Sequence, residues 1–188
     1  MNPKKINIIT LGCSKNVVDS EKLLAQIQSG GFSVLHNAAD HDAGTVIVNT
    51  CGFINDAKEE SIDTILRLIK AKEKGHIENL YVMGCLSERY MDALKTEIPE
   101  VKRYFGVNNF SEILQELGVK YRKDLLNNRV ITSPGHFEYL KVSEGCDRSC
   151  SFCAIPAIRG KCISRSIEDI LNEAELLAEK NIKELILI

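Results

Sequence analysis

Three cysteines in the segment CDRSCSFC stand close enough together to share one metal centre. Cys146, Cys150 and Cys153 have the spacing C-x3-C-x2-C within one short loop. Cysteine thiolate is the usual protein ligand of iron–sulfur clusters, so three such ligands bind three irons of a four-iron cluster. The fourth iron then lacks a protein ligand and is free to bind a small-molecule cofactor. The spacing therefore predicts a cluster that takes part in chemistry.

A structural zinc site is the alternative interpretation of this loop. Closed zinc sites normally have four ligands and commonly use paired C-x2-C units. Only Cys162 is near enough in sequence to supply a fourth ligand. We favour the cluster and interpret Cys162 as an ordinary free thiol.

Three further cysteines, Cys13, Cys51 and Cys85, each end a predicted strand. The strands are INIITLGC (6–13), TVIVNTC (45–51) and NLYVMGC (79–85). In a parallel sheet the carboxyl ends of the strands share one edge, so the three thiols are expected to converge there. A single buried cysteine is most often a small apolar residue. Three cysteines at three strand ends instead predict a second metal cluster.

A helical pattern follows each of these strands. The predicted N-caps are Asp19 or Ser20 in the first helix, Asn55 and Asp56 in the second, and Ser87 in the third, which Pro99 ends. Alternating strands and helices with dense Ile and Val favour a parallel sheet covered on both faces. We therefore expect a small doubly wound parallel-sheet α/β domain over residues 1–118, with RYFGV (103–107) as a fourth strand.

The remaining residues predict a linker and a second unit. Residues 119–136 carry no sustained period and are interpreted as a linker with room for one short strand. Over residues 137–188 we expect a strand at 137–145, the cysteine loop, a helix opened by Ser166 and a last strand. One βαβ unit cannot cover its own sheet, so we expect the chain to be the N-terminal part of a longer protein.

Composition narrows the class of protein. The 188 residues include 24 Lys and Arg against 26 Asp and Glu, so net charge gives no argument for binding nucleic acid. No apolar run is long enough to span a bilayer. Seven cysteines are an odd number and favour metal or redox chemistry over disulfides. We expect a cytoplasmic protein with no membrane partner.

Four segments resemble the methylthiotransferases of the radical S-adenosylmethionine superfamily. They are LGCSKNVVDSE (11–21), NTCGFINDAKEESI (49–62), MGCLSER (83–89) and CDRSCSFCAIPAIRGKCISRS (146–166). The resemblance runs through essentially the whole chain, with the motifs in the family's order. It implies that the second unit is the first βαβ portion of a radical-SAM partial β/α barrel.

Two positions are most similar to one branch of this family. GCSKN (12–16) and Asp147 resemble the enzymes that modify an aspartate of ribosomal protein number twelve of the small subunit. The branch that thiomethylates an adenosine of transfer RNA usually differs at both positions. The resemblance thus implies a ribosomal-protein substrate, free or within the ribosome, and transfer RNA is the alternative.

The resemblance also implies roles for the cysteines. Cys146, Cys150 and Cys153 would bind a [4Fe-4S] cluster whose open iron holds S-adenosylmethionine, and its reductive cleavage would give a 5′-deoxyadenosyl radical. Cys13, Cys51 and Cys85 would hold an auxiliary [4Fe-4S] cluster that carries the sulfur to be inserted. The radical would remove a hydrogen from the aspartate β-carbon, which then receives the methylthio group. An external electron donor and a sulfur donor are implied, and we expect the 188 residues alone to be inactive.

Other interpretations stay open at this point. A binding module with a zinc site or a cluster, or an electron-transfer domain, would use the same cysteines without catalysis. The segment 141–165 has five basic and two acidic residues, a local net of +3. It either helps to bind a cofactor carboxylate or an anionic ribosomal surface, or is a solvated loop. For Asn16, Asp19, Asn49 and Asn55, beside the distributed cysteines, we favour turn and cap roles.

Overall fold

Five parallel strands form the N-terminal sheet in the computed structural model, which describes residues 4–39 and 42–188. The strands are β1 Lys5–Thr10, β2 Ser33–His36, β3 Thr45–Thr50, β4 Asn79–Gly84 and β5 Arg103–Tyr104. Their order is β2-β1-β3-β4-β5, so the direction of winding reverses between β1 and β3. In doubly wound folds ligands bind beside such a reversal, outside the carboxyl ends of the strands.

Helices cover both faces of this sheet. They are α1 Ser14–Ser29, α2 Asn55–Glu73, α3 Cys85–Glu97 and α4 Phe110–Glu116. Successive side chains of a strand point to opposite faces. Val46 and Val48 accordingly pack in the core formed with α2 and α3, and Ile47 packs in the core formed with α1 and α4. The structure confirms the predicted doubly wound α/β fold.

Several local predictions are corrected. The edge strand β2 was not predicted, because its four residues are only half-buried and show no apolar run. Helix α1 begins at Ser14 with Cys13 at the N-cap, so Asp19 and Ser20 lie inside the helix and are buried. Ser87 likewise lies buried inside α3, because both helices begin directly at a cysteine.

Other helix ends match the predictions in part. Helix α2 begins at Asn55 with Ile54 at the N-cap, and it has no side-chain cap hydrogen bond. Helix α3 ends at Glu97, two residues before Pro99. The Ser166 hydroxyl accepts a hydrogen bond of 3.1 Å from the Asp169 amide and caps the last helix, as predicted.

The second unit is built from short elements. They are β6 Phe137–Leu140, β7 Ser143–Glu144, α5 Ile155–Arg159, β8 Ile163–Ser164, α6 Ile167–Glu179 and β9 Glu184–Leu187. β6 pairs with β9 in parallel, and β7 pairs with β8 antiparallel. The strand predicted at 137–145 is thus interrupted, and α5 was not predicted. No helix in the described part of the chain is long and apolar enough to cross a membrane.

The segment 119–136 is tied to both units by a buried ion cluster. It contains one turn of 3₁₀-helix, Lys123–Leu125, and no strand, so the short strand allowed for there is absent. The Arg129 side chain is fully buried and lies 3.1 Å from Glu21 of α1, 3.4 Å from Glu138 of β6 and 3.1 Å from Glu173 of α6. These distances are short enough for ion pairs, but the three side-chain nitrogens of Arg129 make no hydrogen bond that meets the geometric criteria. Arg129 therefore joins three elements that are distant in sequence.

Two more cations complete this cluster. Lys22 lies 3.1 Å and Arg165 lies 2.7 Å from the Glu173 carboxylate. Three cations thus face three carboxylates. A buried charge without a partner is strongly unfavourable, so this burial requires α1, the linker and the second unit to be in place together.

Replacing Arg129 with Met is expected to lower the free energy of unfolding by about 3–5 kcal/mol, because it leaves buried carboxylates without their central cation. Urea denaturation followed by circular dichroism measures this loss. The matched control is Arg103→Met, which breaks ion pairs that are 45% exposed on the arginine side and is expected to cost at most about 1 kcal/mol. Equal losses in the two variants would contradict the prediction.

Candidate metal centres

The three distributed cysteines meet at the carboxyl edge of the N-terminal sheet. Cys13 stands at the N-cap of α1, Cys51 directly follows β3, and Cys85 begins α3 directly after β4. Cys51 and Cys85 are 8% and 6% exposed, whereas Cys13 is exposed. The thiol of Cys85 lies within electrostatic range of the other two. The structure therefore brings the predicted residues together, with one of the three facing solvent.

Two glycines allow the turns that carry these cysteines to pack tightly. Gly12 has φ +90°, and a Cβ there would lie 2.5 Å from the Cβ of Cys51. Gly84 has φ +100°, and a Cβ there would lie 2.5 Å from both the Asn49 side-chain oxygen and the Thr50 carbonyl. Neither position has room for a methyl group. The glycine beside Cys13 and the glycine beside Cys85 thus set how closely the turns approach.

Two buried side-chain amides, those of Asn16 and Asn49, hydrogen-bond to the backbone around the same turns. The Asn16 side chain donates to the carbonyls of Leu11 (2.8 Å) and Thr50 (3.1 Å). The Asn49 side chain donates to the Asn16 carbonyl and to the Ser20 hydroxyl, both at 3.0 Å. These bonds cross between β1, α1 and β3. Asn16 therefore has the expected turn role, whereas Asp19 and Asn49 are buried within the fold and cap no helix.

Ser61 fixes the position of Cys51. The Ser61 hydroxyl accepts from the Cys51 amide at 3.1 Å, and it lies 3.0 Å from the Cys51 carbonyl and 2.7 Å from the Ala57 carbonyl. Ser61 is fully buried. The backbone of Cys51 is thereby tied to α2. Only the place of Ser61 in the helical pattern hinted at this contact.

Arg159 at the end of α5 reaches the distributed cysteines. Its guanidinium donates to the Asn16 side-chain oxygen (2.7 Å), Asp19 (3.2 Å) and Glu144 (3.0 Å). The same Asn16 oxygen accepts a long contact of 3.9 Å from the Cys85 sulfur, so the guanidinium and the thiol share one acceptor. Burial raises the pKa of the Cys85 thiol, and Arg159 opposes that rise by favouring the thiolate.

Lys141 and Arg159 correct the interpretation of the basic segment. Lys141 pairs with the same two carboxylates, Asp19 and Glu144. The side chains of Lys141 and Arg159 are only 12% and 5% exposed. A solvated loop is therefore wrong for these two residues, which are among the five basic residues of the segment 141–165. Their positions, five residues before Cys146 and six residues after Cys153, gave only a weak signal of burial.

The clustered cysteines line a separate open cavity of about 490 Å³. Its walls are Cys146, Asp147, Arg148, Ser149, Cys150, Cys153, Pro156, Ala157 and Lys161. The Cys153 amide donates to the Cys150 carbonyl at 3.1 Å, which curls the loop so that the three thiols face one space. Cys162 does not line the cavity, and its amide donates to Asp147 at 2.9 Å.

Each donor set suits a cluster with three protein ligands. Within residues 4–39 and 42–188, no three His, Cys, Asp or Glu side chains converge closely enough to hold a single metal ion. Three thiols spaced around an open cavity, and three thiols around a sheet edge with a buried cation nearby, are the ligand type that iron–sulfur clusters use. The residues therefore fit such groups.

The close packing at Gly84 is testable. Gly84→Ala is expected to lower the free energy of unfolding by about 1–3 kcal/mol more than Gly75→Ala, because an added methyl group there overpacks buried atoms. Gly75 is a matched control, since it also has a positive φ (+77°) but no atom within 4 Å of an added Cβ. Urea denaturation of both variants makes the comparison. Equal destabilisation would show that the turn at Cys85 is not held by this contact.

Comparisons with known proteins agree with the two-part organisation. The model of Uncharacterized protein family UPF0004 matches residues 5–106, and that of the Radical SAM superfamily matches residues 140–188. The chain is 52% identical over 184 residues to the ribosomal protein uS12 methylthiotransferase RimO of Bacteroides thetaiotaomicron, covering 98% of this chain and 42% of that relative. It is 51% identical over 188 residues to RimO of Flavobacterium psychrophilum, covering 100% and 43%. The chain thus spans about two fifths of the length of these relatives.

Solved structures share the fold at low identity. The radical S-adenosylmethionine methyltransferase TsrM from Kitasatospora setae, with cobalamin and a [4Fe-4S] cluster bound, has a TM-score of 0.56 at 14% identity, covering 99% of this chain and 49% of its own. The cobalamin-dependent S-adenosylmethionine radical enzyme OxsB has a TM-score of 0.57 at 12% identity, covering 95% and 32%. These matches confirm the α/β fold. The family model that matches residues 5–106 covers more than half of the chain, so the chain belongs to Uncharacterized protein family UPF0004.

Proposed function

We propose that the full-length protein transfers a methylthio group to the β-carbon of an aspartate in ribosomal protein uS12. The observation that carries the proposal is a small apolar contact that joins the two sets of cysteines. Ala154, directly after Cys153, and Ile158 pack against Cys85 and Val107. Two three-thiol sites are therefore joined through α5. The names of the relatives support the substrate.

Each cysteine set holds one [4Fe-4S] cluster in this proposal. Cys146, Cys150 and Cys153 bind the cluster that receives S-adenosylmethionine, and Cys13, Cys51 and Cys85 bind the auxiliary cluster. When bound, these cofactors supply the radical and the sulfur that the transfer requires. The three ligands on each side leave one iron without a protein ligand, which suits binding of a cofactor or of the inserted sulfur.

The chain itself positions and shields these groups. Arg148 and Lys161 line the cavity of the clustered cysteines, where their charge favours a cofactor carboxylate. Cys51 and Cys85 are almost fully buried, so water reaches the auxiliary site chiefly from the side of Cys13. Excluding water protects reactive species from side reactions.

The proposed reaction needs partners that act in the cytoplasm. The substrate is uS12, either free or within the ribosome. An external donor supplies electrons, and a separate donor replaces the sulfur that each turnover consumes. The alternative, modification of transfer RNA, uses the same chemistry and the same two cysteine sets, so the substrate has to be tested separately from the clusters.

Metal content tests the clusters directly. After anaerobic reconstitution, the full-length protein is expected to contain about eight irons and matching acid-labile sulfide. Replacing Cys146, Cys150 and Cys153 together with Ala, or Cys13, Cys51 and Cys85 together with Ala, is expected to leave about four irons, because each set holds one cluster. Stoichiometric zinc without sulfide would contradict the proposal and favour a binding module.

Mass spectrometry tests the substrate. Full-length reconstituted protein is incubated with S-adenosylmethionine, a reductant and either uS12 or transfer RNA. We expect one hydrogen of an aspartate in uS12 to be replaced by a methylthio group, and the transfer RNA to be unchanged. The variant that lacks Cys146, Cys150 and Cys153 serves as the control and should modify neither. Modification of the RNA alone would overturn the substrate assignment.

A further inference from the structure

Arg159 makes more contacts than are needed to pair the carboxylates of Asp19 and Glu144. Its guanidinium faces Asp19 at 3.2 Å and Glu144 at 3.0 Å, but Lys141 already pairs with both carboxylates. Lys15 adds a further cation, since it donates to the Ser143 carbonyl at 2.9 Å and lies within electrostatic range of Glu144. Three cations therefore face two carboxylates. The surplus positive charge lies at the contact between the two units.

The remaining contacts of Arg159 point toward the distributed cysteines. One arm donates to the Asn16 side-chain oxygen at 2.7 Å, and the Cys85 sulfur lies 3.9 Å from that same oxygen. Asn16 in turn holds the carbonyls of Leu11 and Thr50, which precede the turns to Cys13 and Cys51. Arg159 is thus connected to all three turns.

Helix α5 places Arg159 at this position. The helix has only five residues and follows the clustered cysteines after a single residue, Ala154. Ala154 and Ile158 pack on Cys85 and Val107, so apolar contacts anchor the helix at the residue directly before Arg159. The planar guanidinium offers several donors in a fixed geometry, which allows simultaneous hydrogen bonds to the Asn16 amide oxygen and to two carboxylates.

We propose that Arg159 is a positioning residue that raises the reduction potential of the cluster held by Cys13, Cys51 and Cys85. The inference rests on the proposed function, since it requires a cluster at these thiols. Adding an electron makes a cluster more negative. A buried positive charge close to a ligand sulfur stabilises that reduced state. The second unit thereby adjusts the redox properties of a site whose ligands all belong to the first.

A redox titration tests this role. The full-length protein carries Cys146→Ala, Cys150→Ala and Cys153→Ala, so that only one cluster is present, and it is reduced stepwise with dithionite while the electron paramagnetic resonance signal is followed. Arg159→Gln is expected to lower the midpoint potential while iron and sulfide stay at parent levels. Asp19 and Glu144 keep Lys141 as a partner, so this variant is expected to fold.

Lys141→Gln is the matched control. It removes the same charge from the same ion cluster, but the Lys141 ammonium donates to Asp19 and Glu144 and not to the Asn16 oxygen beside the Cys85 sulfur. Its midpoint potential is expected to stay close to that of the parent. Arg159→Lys keeps the charge without the forked donors, and its potential is expected to lie between those of the parent and Arg159→Gln. It also provides a folded variant if the glutamine is not tolerated.

The outcomes separate the two proposals. An unchanged midpoint in both Arg159 variants, with the cluster intact, would overturn the role of Arg159 and leave the proposed function standing. Equal shifts in Arg159→Gln and Lys141→Gln would also overturn it, because the effect would then belong to the charge of the whole contact. Absence of iron and sulfide from the parent itself would overturn the proposed function.

Discussion

A buried charge needs an opposite charge at contact distance, and in this protein the partners belong to different parts of the chain. Arg129 of the linker pairs with carboxylates of α1, β6 and α6. Arg159 of α5 pairs with Asp19 of α1, 140 residues earlier in the sequence. Neither unit can bury its own share of these charges alone at low cost. The relative placement of the sheet and the cysteine loop depends on this requirement.

Helix α1 takes part both in the packing on the sheet and in the buried ion pairs with the linker and the second unit. Its apolar side, with Leu23, Leu24 and Ile27, packs on the sheet. Its polar side carries the carboxylates of Asp19 and Glu21 toward the linker and the second unit. Because Cys13 stands at the N-cap of the same helix, the position of this cysteine is coupled to both contacts. The sheet edge and the second unit thus share one rigid support.

The fold and the two cysteine sites were predictable because their signals are local. Short apolar runs, helical spacing and a cysteine at each strand end can be recognised within windows of ten to twenty residues. The buried ion clusters could not be predicted in this way, since Glu21 and Arg129 are each ordinary charged residues within their own segment. The same holds for Asn16, Asp19 and Ser20, whose types suggest caps. Their burial is decided by the tight turns at Gly12 and Gly84, which start α1 and α3 directly at a cysteine.

The pairing of charges across the units has a consequence for how the sequence can change in evolution. Each carboxylate on α1 has its cation on a segment more than 100 residues away, so a substitution on one side is tolerated best when the other side changes with it. The N-terminal unit of one relative could therefore replace that of another only if the partner residues were exchanged as well. The two units differ in architecture, but we expect the residues that pair across them to change together.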